Sequence, residues 1–561
     1  PAFGTMGDFE NLVKAAHEKG IKIYLDYVVN HSGKGHKWFV DALEKREASP
    51  YWNYYNLSYN PAADIAAGKF PMISSYNSAD WFTPDGIEEP KQETHRYKFT
   101  LTASGIMPLT ITVSESSEAA QSDNTDTSVN MFLWYGETGA AHRMYDKGNG
   151  IYELVCDFNS PWGFLVRTSN TSWNGTKWGG DGSYLELDKA YKLNSFPASD
   201  IQFEYMRSLK IFAPIFGLWM PELNYGNISQ MTQSGPYKEI IASVKGWLDK
   251  GVDGLRLDAA KHIYGVWDVD SRDFTFWKTF HTELNNYYKT LPQADGDFFM
   301  VAEIYGGTDQ VAQFAQCLPS AFNFDFLGEE ASGWNGILLS NLKSQSGRNI
   351  AQQVLNNQKK LHNRNANFVD ALKLSNHDQD RSASQLGNVN LSRMAGAIML
   401  TLSGRPVVYY GEELGFTGRK SGGDIHIRQP MKWSDTEYAK YTGAILPSYD
   451  NLKSVAELEK DPESLLNVYR QFGQLRNIYP AMTEKGSLTP CYNTSSYPGA
   501  LSAYYREYNG QKMLVMHNVS DQPIEVKINE TVKKAVAVIG KVQREEKTIK
   551  MAGFSSVVWM L

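Results

Sequence analysis

The stretch "GVDGLRLD", residues 251–258, follows helical sequence over residues 237–249. Side chains alternate along a strand, so Arg256 and Asp258 would share one side and the two leucines the other. A helix that leads into such a strand is the repeating unit of an α/β architecture. We therefore predict that this stretch is a parallel strand ending on an acid.

The same order of helix and strand recurs along the chain. Further pairs are helix 9–16 with strand 21–29, helix 274–288 with "DFFMVAEI", helix 350–362 with "NFVDALKLSNHD", and helix 392–402 with "RPVVYYGEELG". We expect residues 21–29, an apolar run, to be a strand buried on both faces. Repeated units of this kind favour a parallel barrel or a doubly wound sheet. The polar residues fall at the strand ends, where barrels place their active sites, so we predict a (β/α)8 TIM barrel.

Two regions depart from this pattern. Short alternating strands with Ser/Thr/Asn-rich connectors predict an all-β sandwich module inserted in a long loop of the barrel. Strand-like sequence near the end predicts a C-terminal β-sandwich. The expected divisions are barrel and long loop (1–92), module (93–194), rest of the loop and barrel (195–480) and C-terminal domain (481–561). Because Pro1 to Asp8 lead straight into a helix, we expect the first barrel strands to precede Pro1.

Composition excludes several classes of protein. The chain is 42% hydrophobic and 21% charged, with a net charge of -7, which argues against a nucleic-acid binder. The sequence lacks the run of ~18 apolar residues that a spanning helix requires. Three scattered cysteines cannot supply a disulfide framework.

Three acids close three of the predicted strands. Arg256, two residues before Asp258, would keep that carboxylate ionised, as an attacking nucleophile needs. Glu303 ends the apolar run "MVAEI", and apolar surroundings raise the pKa of a carboxyl group, as a general acid needs. Asp378 lies in "LSNHDQDR" at a third strand end.

Each acid alone has a structural alternative: a buried ion pair, a strand-end salt bridge, or a turn. Together at one barrel mouth they would repel one another, which makes a purely structural role costly. Two carboxylates about 5 to 5.5 Å apart are the apparatus of retaining glycosidases. We therefore expect Asp258, Glu303 and Asp378 to meet around one glycosidic bond.

The motifs and their order resemble glycoside hydrolase family 13, the α-amylase family. The matching segments are "DYVVNH" (26–31), "MPELN" (220–224), "GLRLDAAKH" (254–262), "VAEI" (301–304), "LSNHD" (374–378), "RPVVYYGEELG" (405–415) and "IRQPMKW" (427–433). Any one motif is weakly specific, whereas their combination in this order is strong. The long loop that carries the β module corresponds to the family's domain B.

The resemblance implies endo-hydrolysis of α-1,4-glucosidic bonds in starch and maltooligosaccharides with retention of configuration. Asp258 would be the nucleophile, Glu303 the acid/base and Asp378 the transition-state stabiliser. Ala259 and Ala260 after the nucleophile are similar to α-1,4-acting members.

The resemblance also assigns ligand-binding residues. Substrate binding is implied for His31, Arg256, Lys261, His262 and His377, and Asp26 aligns with a structural acid. A calcium ion is implied at Asn30, Glu222 and the His262 carbonyl, oxygen ligands of the kind that Ca²⁺ prefers. At position 222, Glu replaces the more usual Asp.

The inserted module resembles the starch-binding insertion of SusG-type surface amylases. This implies sugar-binding positions at Tyr135, Trp162, Trp173 and Lys177, with core packing as the alternative for each aromatic ring. It further implies an extracellular or cell-surface location, including a lipid-anchored outer-membrane protein, and surface starch-binding partner proteins.

Two other functions remain open. A neopullulanase, cyclomaltodextrinase or glucan transferase would use the same acids, and "MPELN" is close to that subgroup's spelling. An inactive barrel could instead serve as a glycan-binding scaffold, although such a copy is free to lose the acids that this chain keeps.

Overall fold

A computed structural model describes residues 4–85, 94–103, 109–135, 140–160, 162–171, 175–206, 208–264, 271–434, 436–437 and 452–561. The chain divides into two compact units. One comprises Pro1–Val28 and Val244–Leu561, and the other comprises Val29–Ser243.

The first unit contains a six-stranded parallel sheet in its described residues. In sheet order, which is also chain order, the strands are Tyr24–Val28, Gly254–Asp258, Phe299–Ala302, Ser320–Asn323, Val369–Lys373 and Arg405–Val407. Its helices are Met6–Glu18, the end of Gly235–Leu248, Ser271–Tyr288, Thr308–Phe314, Ile337–Lys343, Ile350–His362, Ser382–Leu386, Val389–Thr401, Val455–Leu458 and Leu465–Ile478. Parallel strands in chain order with intervening helices are the predicted barrel architecture.

The strand Gly254–Asp258 fits closely between its neighbours. A Cβ atom on Gly254 would lie 2.6 Å from the Phe299 carbonyl oxygen and 2.8 Å from the Tyr24 ring. Only glycine therefore allows this approach. Leu255 and Leu257 are fully buried, and the intervening Arg256 and the final Asp258 point to the other side, as predicted.

The strand over residues 21–29 is shorter and less buried than expected. It runs from Tyr24 to Val28, and both of these residues are partly exposed. The prediction of burial on both faces was wrong because this strand is an edge of the sheet in the described residues. The preceding helix and its left-handed Gly20, at φ 72°, agree with the sequence pattern.

The C-terminal part of the first unit is a β-sandwich, as predicted. One sheet has the order Ser487–Pro490, Leu501–Tyr508, Gln511–Asn518, Ser555–Met560 and Lys534–Ile539, and the other Ile524–Lys527, Thr548–Met551 and Val542–Glu545. Tyr504, Val515 and Val558 share a core with the helices Val389–Thr401 and Leu465–Ile478.

The second unit contains the inserted β module. Its first sheet has the order Asn194–Ser195, Lys177–Gly179, Phe164–Arg167, Phe132–Tyr135 and Ala140–Arg143; its second has Tyr191–Lys192, Thr110–Glu115, His95–Thr102, Ile151–Phe158 and Tyr145–Gly148. Phe99, Phe158, Phe164 and Phe203 form a buried aromatic core, which explains how short strands hold the module together.

The rest of the second unit is a small domain around a three-stranded sheet. Its strands are Leu57–Ser58, Lys210–Phe212 and Trp81–Phe82, and its helices are Lys37–Lys45, Pro61–Ala66 and the start of Gly235–Leu248. A parallel pair, Tyr184–Leu185 with Gln202–Phe203, belongs to the core of the β module. Across the described parts of both units, none of the helices combines the length and the apolar character needed to span a bilayer.

Candidate active site

Arg256 is the centre of the carboxylate cluster. Its Nη1 lies 2.7 Å from Asp26 Oδ1 and 2.6 Å from Asp258 Oδ1, and its Nη2 lies 2.6 Å from Glu303 Oε2. The parallel register explains the arrangement, because the strand ending at Asp258 lies between the strand that carries Asp26 and the strand that ends just before Glu303. One guanidinium therefore joins the two acids that the sequence assigns to nucleophile and acid/base.

Glu303 has the environment of a proton donor. Burial raises its pKa, and the negative charges of Asp258 and Asp378 raise it further, while Arg256 opposes the rise. The backbone N–H of Ala259 also donates weakly to Oε2, at 3.4 Å. Burial dominates, so this carboxyl group keeps its proton to higher pH than an exposed glutamate.

Asp378 has the opposite character. It lies beyond the strand Val369–Lys373, and its carboxylate is 3.0 Å from His377 Nε2, 2.7 Å from Arg428 Nη2 and 3.6 Å from Lys420 Nζ. The hydrogen bond from His377, together with these cations, lowers its pKa. Arg428 also donates to the His377 carbonyl at 2.9 Å, so it holds both residues. Since the Asp378 charge acts on Glu303, the three acids form one electrostatic cluster.

Lys261 and Tyr305 lie beside this cluster. Lys261 Nζ donates to the Tyr305 carbonyl at 2.6 Å, and burial lowers its pKa. The Tyr305 ring is 44% exposed and packs edge-on to Phe324 and Trp334. The sequence reasoning missed Tyr305, although its position two residues after Glu303 was a usable signal.

Two buried charged residues, Lys373 and Glu412, support the segment that carries Asp378. The sequence analysis did not predict this role for either residue. Lys373 donates to Gln379 and lies 3.9 Å from the Phe324 ring centroid; burial lowers its pKa to about 7. Glu412 accepts from Ser375 at 2.9 Å, and burial raises its pKa to about 7. These contacts fix both ends of the "SNHDQ" segment.

An isolated β-bridge joins two of the predicted residues of the second unit. His31 pairs in this bridge with Glu222, and the His31 ring lies 4.7 Å from that of Phe216. Asn30 is buried, and its carbonyl accepts from Leu223 N at 2.9 Å.

Glu222 suits a cation. Its Oε1 accepts from Ile215 N at 3.0 Å, while its buried Oε2 has no hydrogen-bond partner. Burial raises its pKa to about 8. An orphaned carboxylate oxygen fits a hard cation such as Ca²⁺.

His262, the third predicted position, belongs to the first unit, where its backbone N–H donates to the Ala259 carbonyl. No cluster of at least three His, Cys, Asp or Glu with metal-site geometry occurs among the described residues.

The module residues differ from one another. Trp162 is 52% exposed, and Lys177 Nζ lies 4.9 Å from the Phe196 ring centroid. Tyr135 is only 7% exposed; its ring stacks on His142, and its hydroxyl donates to the Asp157 carbonyl. Core packing, the alternative left open by the sequence, therefore describes Tyr135. Trp173 lies outside the described residues.

Three protein-family models match the chain. The model "Alpha amylase, catalytic domain" matches residues 1–99 and 210–485. The models "Alpha-amylase SusG, CBM58 domain" and "Alpha-amylase SusG C-terminal domain" match residues 93–204 and 501–558.

Similar proteins agree with these matches. "Alpha-amylase SusG" of Bacteroides thetaiotaomicron is 39% identical over 100% of this chain and 82% of its own length. "Alpha-amylase 3" of Dictyoglomus thermophilum is 27% identical over 100% of this chain and 80% of its own. The solved structure of Eubacterium rectale Amy13B shares the fold, with a TM-score of 0.61 at 20% identity over 99% of this chain and 82% of that one. The chain therefore belongs to the α-amylase family, glycoside hydrolase family 13, and carries the catalytic, starch-binding and C-terminal domains of a SusG-type α-amylase.

Proposed function

We propose that this α-amylase cleaves internal α-1,4 bonds of starch and maltooligosaccharides through Asp258 as nucleophile and Glu303 as acid/base. The observation that carries this assignment is the Arg256 guanidinium, which contacts one oxygen of each carboxylate. Arg256 can orient the nucleophile while the buried Glu303 holds the proton that the leaving group needs.

The two acids act in two steps. Glu303 donates its proton to the glycosidic oxygen as Asp258 attacks the anomeric carbon and forms a covalent glycosyl ester. Glu303, now ionised, takes a proton from water, which attacks the same carbon and releases Asp258. Two inversions leave the product with the original configuration. Asp378, held ionised by Arg428 and His377, stabilises the positive charge of the transition state through sugar hydroxyls. His31, Arg256 and His377 hold the sugar in the cleavage subsite, and Lys261 and His262 hold the neighbouring sugar on the leaving-group side.

Replacing Asp258 with asparagine is expected to lower kcat on amylose by at least about a hundredfold, because no covalent intermediate can form. Reducing-sugar release measures the loss. Asp26→Asn is the matched control, since Asp26 contacts the same Arg256 nitrogen, and we expect it to cost at most about tenfold. Proton NMR of fresh products should show the α-anomer. A near-normal Asp258→Asn rate, or an initial β-anomer, would refute the mechanism.

Product analysis separates the related activities. An endo-amylase releases mixed maltooligosaccharides from amylose and leaves pullulan and cyclodextrins largely intact. A neopullulanase or cyclomaltodextrinase degrades those two substrates, and a glucan transferase makes longer products. An inactive scaffold releases nothing.

We also propose a structural Ca²⁺ held by the side chains of Asn30 and Glu222 and the backbone carbonyl of His262. The unpartnered, buried Glu222 oxygen supports this proposal. The ion would neutralise that carboxylate and lies outside the chemical steps.

A chelator is therefore expected to lower the melting temperature by several degrees, and Ca²⁺ rather than Mg²⁺ should restore it, because Mg²⁺ demands a tighter octahedral site. Differential scanning calorimetry checks this. In Glu222→Gln the chelator should have little effect; an undiminished effect there would exclude Glu222 as a ligand.

For the inserted module we propose starch binding through Trp162, Trp173 and Lys177, with Tyr135 supporting the site from the core. Residues 93–194 would form that module between the two parts of the barrel chain (1–92 and 195–480), and residues 481–561 the C-terminal domain.

Granular starch is an extracellular substrate, so we propose an extracellular or cell-surface location, including lipid anchoring in an outer membrane, alongside other starch-binding surface proteins. Starch pull-down with Trp162→Ala and fractionation of intact cells test these points.

A further inference from the structure

Trp219 presents its indole to solvent on the loop that follows Ile215. At 70% it is the most exposed large apolar side chain in the described residues, and the adjacent Met220 is also exposed. Nothing in the proposed mechanism uses either residue. A large aromatic ring left in water on a well-defined surface is typical of a binding site.

The loop is fixed at both ends, so this exposure does not come from a loose segment. Glu222 Oε1 accepts from Ile215 N at 3.0 Å and closes the base of the loop. The carbonyl of Trp219 itself accepts from Lys34 N at 3.1 Å, and that of Pro221 accepts from Ser32 N at 3.0 Å. The backbone that carries the indole is therefore pre-organised, which lowers the entropic cost of binding a ligand.

One face of the indole is covered by a cation. Lys34 Nζ lies 3.9 Å from the ring centroid and forms an ion pair with Asp85 at 2.8 Å. The ammonium restrains the ring by a cation–π contact. Lys34 and Asp85 also supply a donor and acceptors beside the ring. An exposed aromatic ring with a charged donor and acceptors beside it fits a pyranose, which has apolar C–H faces and a rim of hydroxyls.

The same loop connects Trp219 to His31. His31 forms an isolated β-bridge with Glu222, which follows Trp219 by three residues. Phe216, at the other end of the turn, packs against the His31 ring at 4.7 Å. One rigid loop therefore supports His31 and displays Trp219.

We propose that Trp219, with Lys34 and Asp85, is a stacking platform for a glucose unit of the bound α-glucan, beyond the sugar that His31 holds. This inference rests on the proposed function, because it takes His31 as part of the cleavage subsite. The platform adds affinity for long chains and does not take part in bond cleavage.

Trp219→Ala should impair long substrates selectively. We expect its KM for maltoheptaose to rise between about threefold and tenfold, the usual worth of one aromatic contact. With α-maltosyl fluoride, which has only two sugar rings, kcat/KM should change less than about twofold. Lys34→Met should show the same length dependence with a smaller amplitude, because the ring keeps its loop but loses its restraint. Melting temperatures of both variants should equal that of the wild type.

Tyr76→Ala is the matched control, because it removes another exposed aromatic ring from the same unit and has no part in the proposed binding sites. It should leave the KM for maltoheptaose unchanged. The proposal is overturned if Trp219→Ala behaves like wild type on maltoheptaose, or if it loses the same factor on both substrates.

Calorimetric titration with maltoheptaose separates this inference from the proposed function. Weaker binding by Trp219→Ala, in a protein that hydrolyses nothing, would support the platform and refute the hydrolase assignment. Equal binding by both proteins, with normal hydrolysis, would refute the platform alone.

Discussion

Replacing Glu303 with glutamine is expected to slow hydrolysis of maltoheptaose by about a hundredfold to ten-thousandfold, because the leaving sugar then departs without a proton. Cleavage of α-maltosyl fluoride should suffer far less in its first step, since fluoride needs little protonation to leave. Asp258→Asn should be slow on both substrates, because both require the nucleophile. The contrast between leaving groups therefore distinguishes the two carboxylates, which a loss of activity alone cannot do.

The pH profile gives an independent check on Glu303. Burial raises its pKa, and its acid form is the active one in the first step, so wild-type activity should fall as pH rises through that pKa. The Glu303→Gln variant has no such group, and the alkaline limb should disappear with α-maltosyl fluoride as substrate. An alkaline limb that persists unchanged in this variant would mean that another group supplies the proton.

Local spacing predicts the centre of the site well. The two-residue period of a strand places Arg256 and Asp258 on one side, and the structure finds their side chains 2.6 Å apart. The apolar run before Glu303 predicts a raised pKa, which the buried position produces. In both cases the residues that decide the outcome are close in sequence or belong to the same parallel sheet. The register of that sheet follows from strand order.

Contacts made by loops could not be predicted in this way. Arg428 reaches Asp378 across 50 residues, and Lys373 meets Gln379 only because the intervening segment turns back on itself. Neither pairing has a sequence period. Tyr135 shows that the burial of a side chain is also hard to predict from sequence. Strand alternation says that it shares a face with Leu133, but only the fold shows that this face packs against the core of the module.

Removing the charge of Arg256 is the second change with a large expected effect. In Arg256→Met, Asp26, Asp258 and Glu303 lose their shared cation, and Asp258 and Glu303 are mostly buried. We expect the free energy of unfolding to fall by about 2–4 kcal/mol at neutral pH, somewhat below the usual cost of breaking a buried pair because Asp26 is exposed. kcat on amylose should fall by at least about a hundredfold as the nucleophile loses its orientation.

The sign of the pH dependence follows from the charges. Arg256 lowers the pKa of Glu303, so its removal raises that pKa further in the folded state. The folded variant then binds more protons than the unfolded chain, and its stability declines as pH rises through the carboxylate range. The melting-temperature difference from wild type should therefore be larger at pH 8 than at pH 5, which lie about four units and about one unit above the ordinary carboxylate pKa.

Two variants control for this effect. Arg256→Lys keeps a cation but loses the planar fork that reaches three carboxylates, so it should recover much of the stability and little of the activity. Arg405→Met removes a guanidinium from another strand of the same sheet, where it pairs with Glu484. Its melting-temperature loss should be smaller, and its activity profile should keep the wild-type alkaline limb. If the melting-temperature losses of Arg256→Met and Arg405→Met had the same pH dependence, Arg256 would have no special effect on the catalytic carboxylates. A loss confined to Arg256→Met instead ties the folding of the barrel mouth to the same cation that contacts both catalytic carboxylates and opposes the rise in the pKa of Glu303.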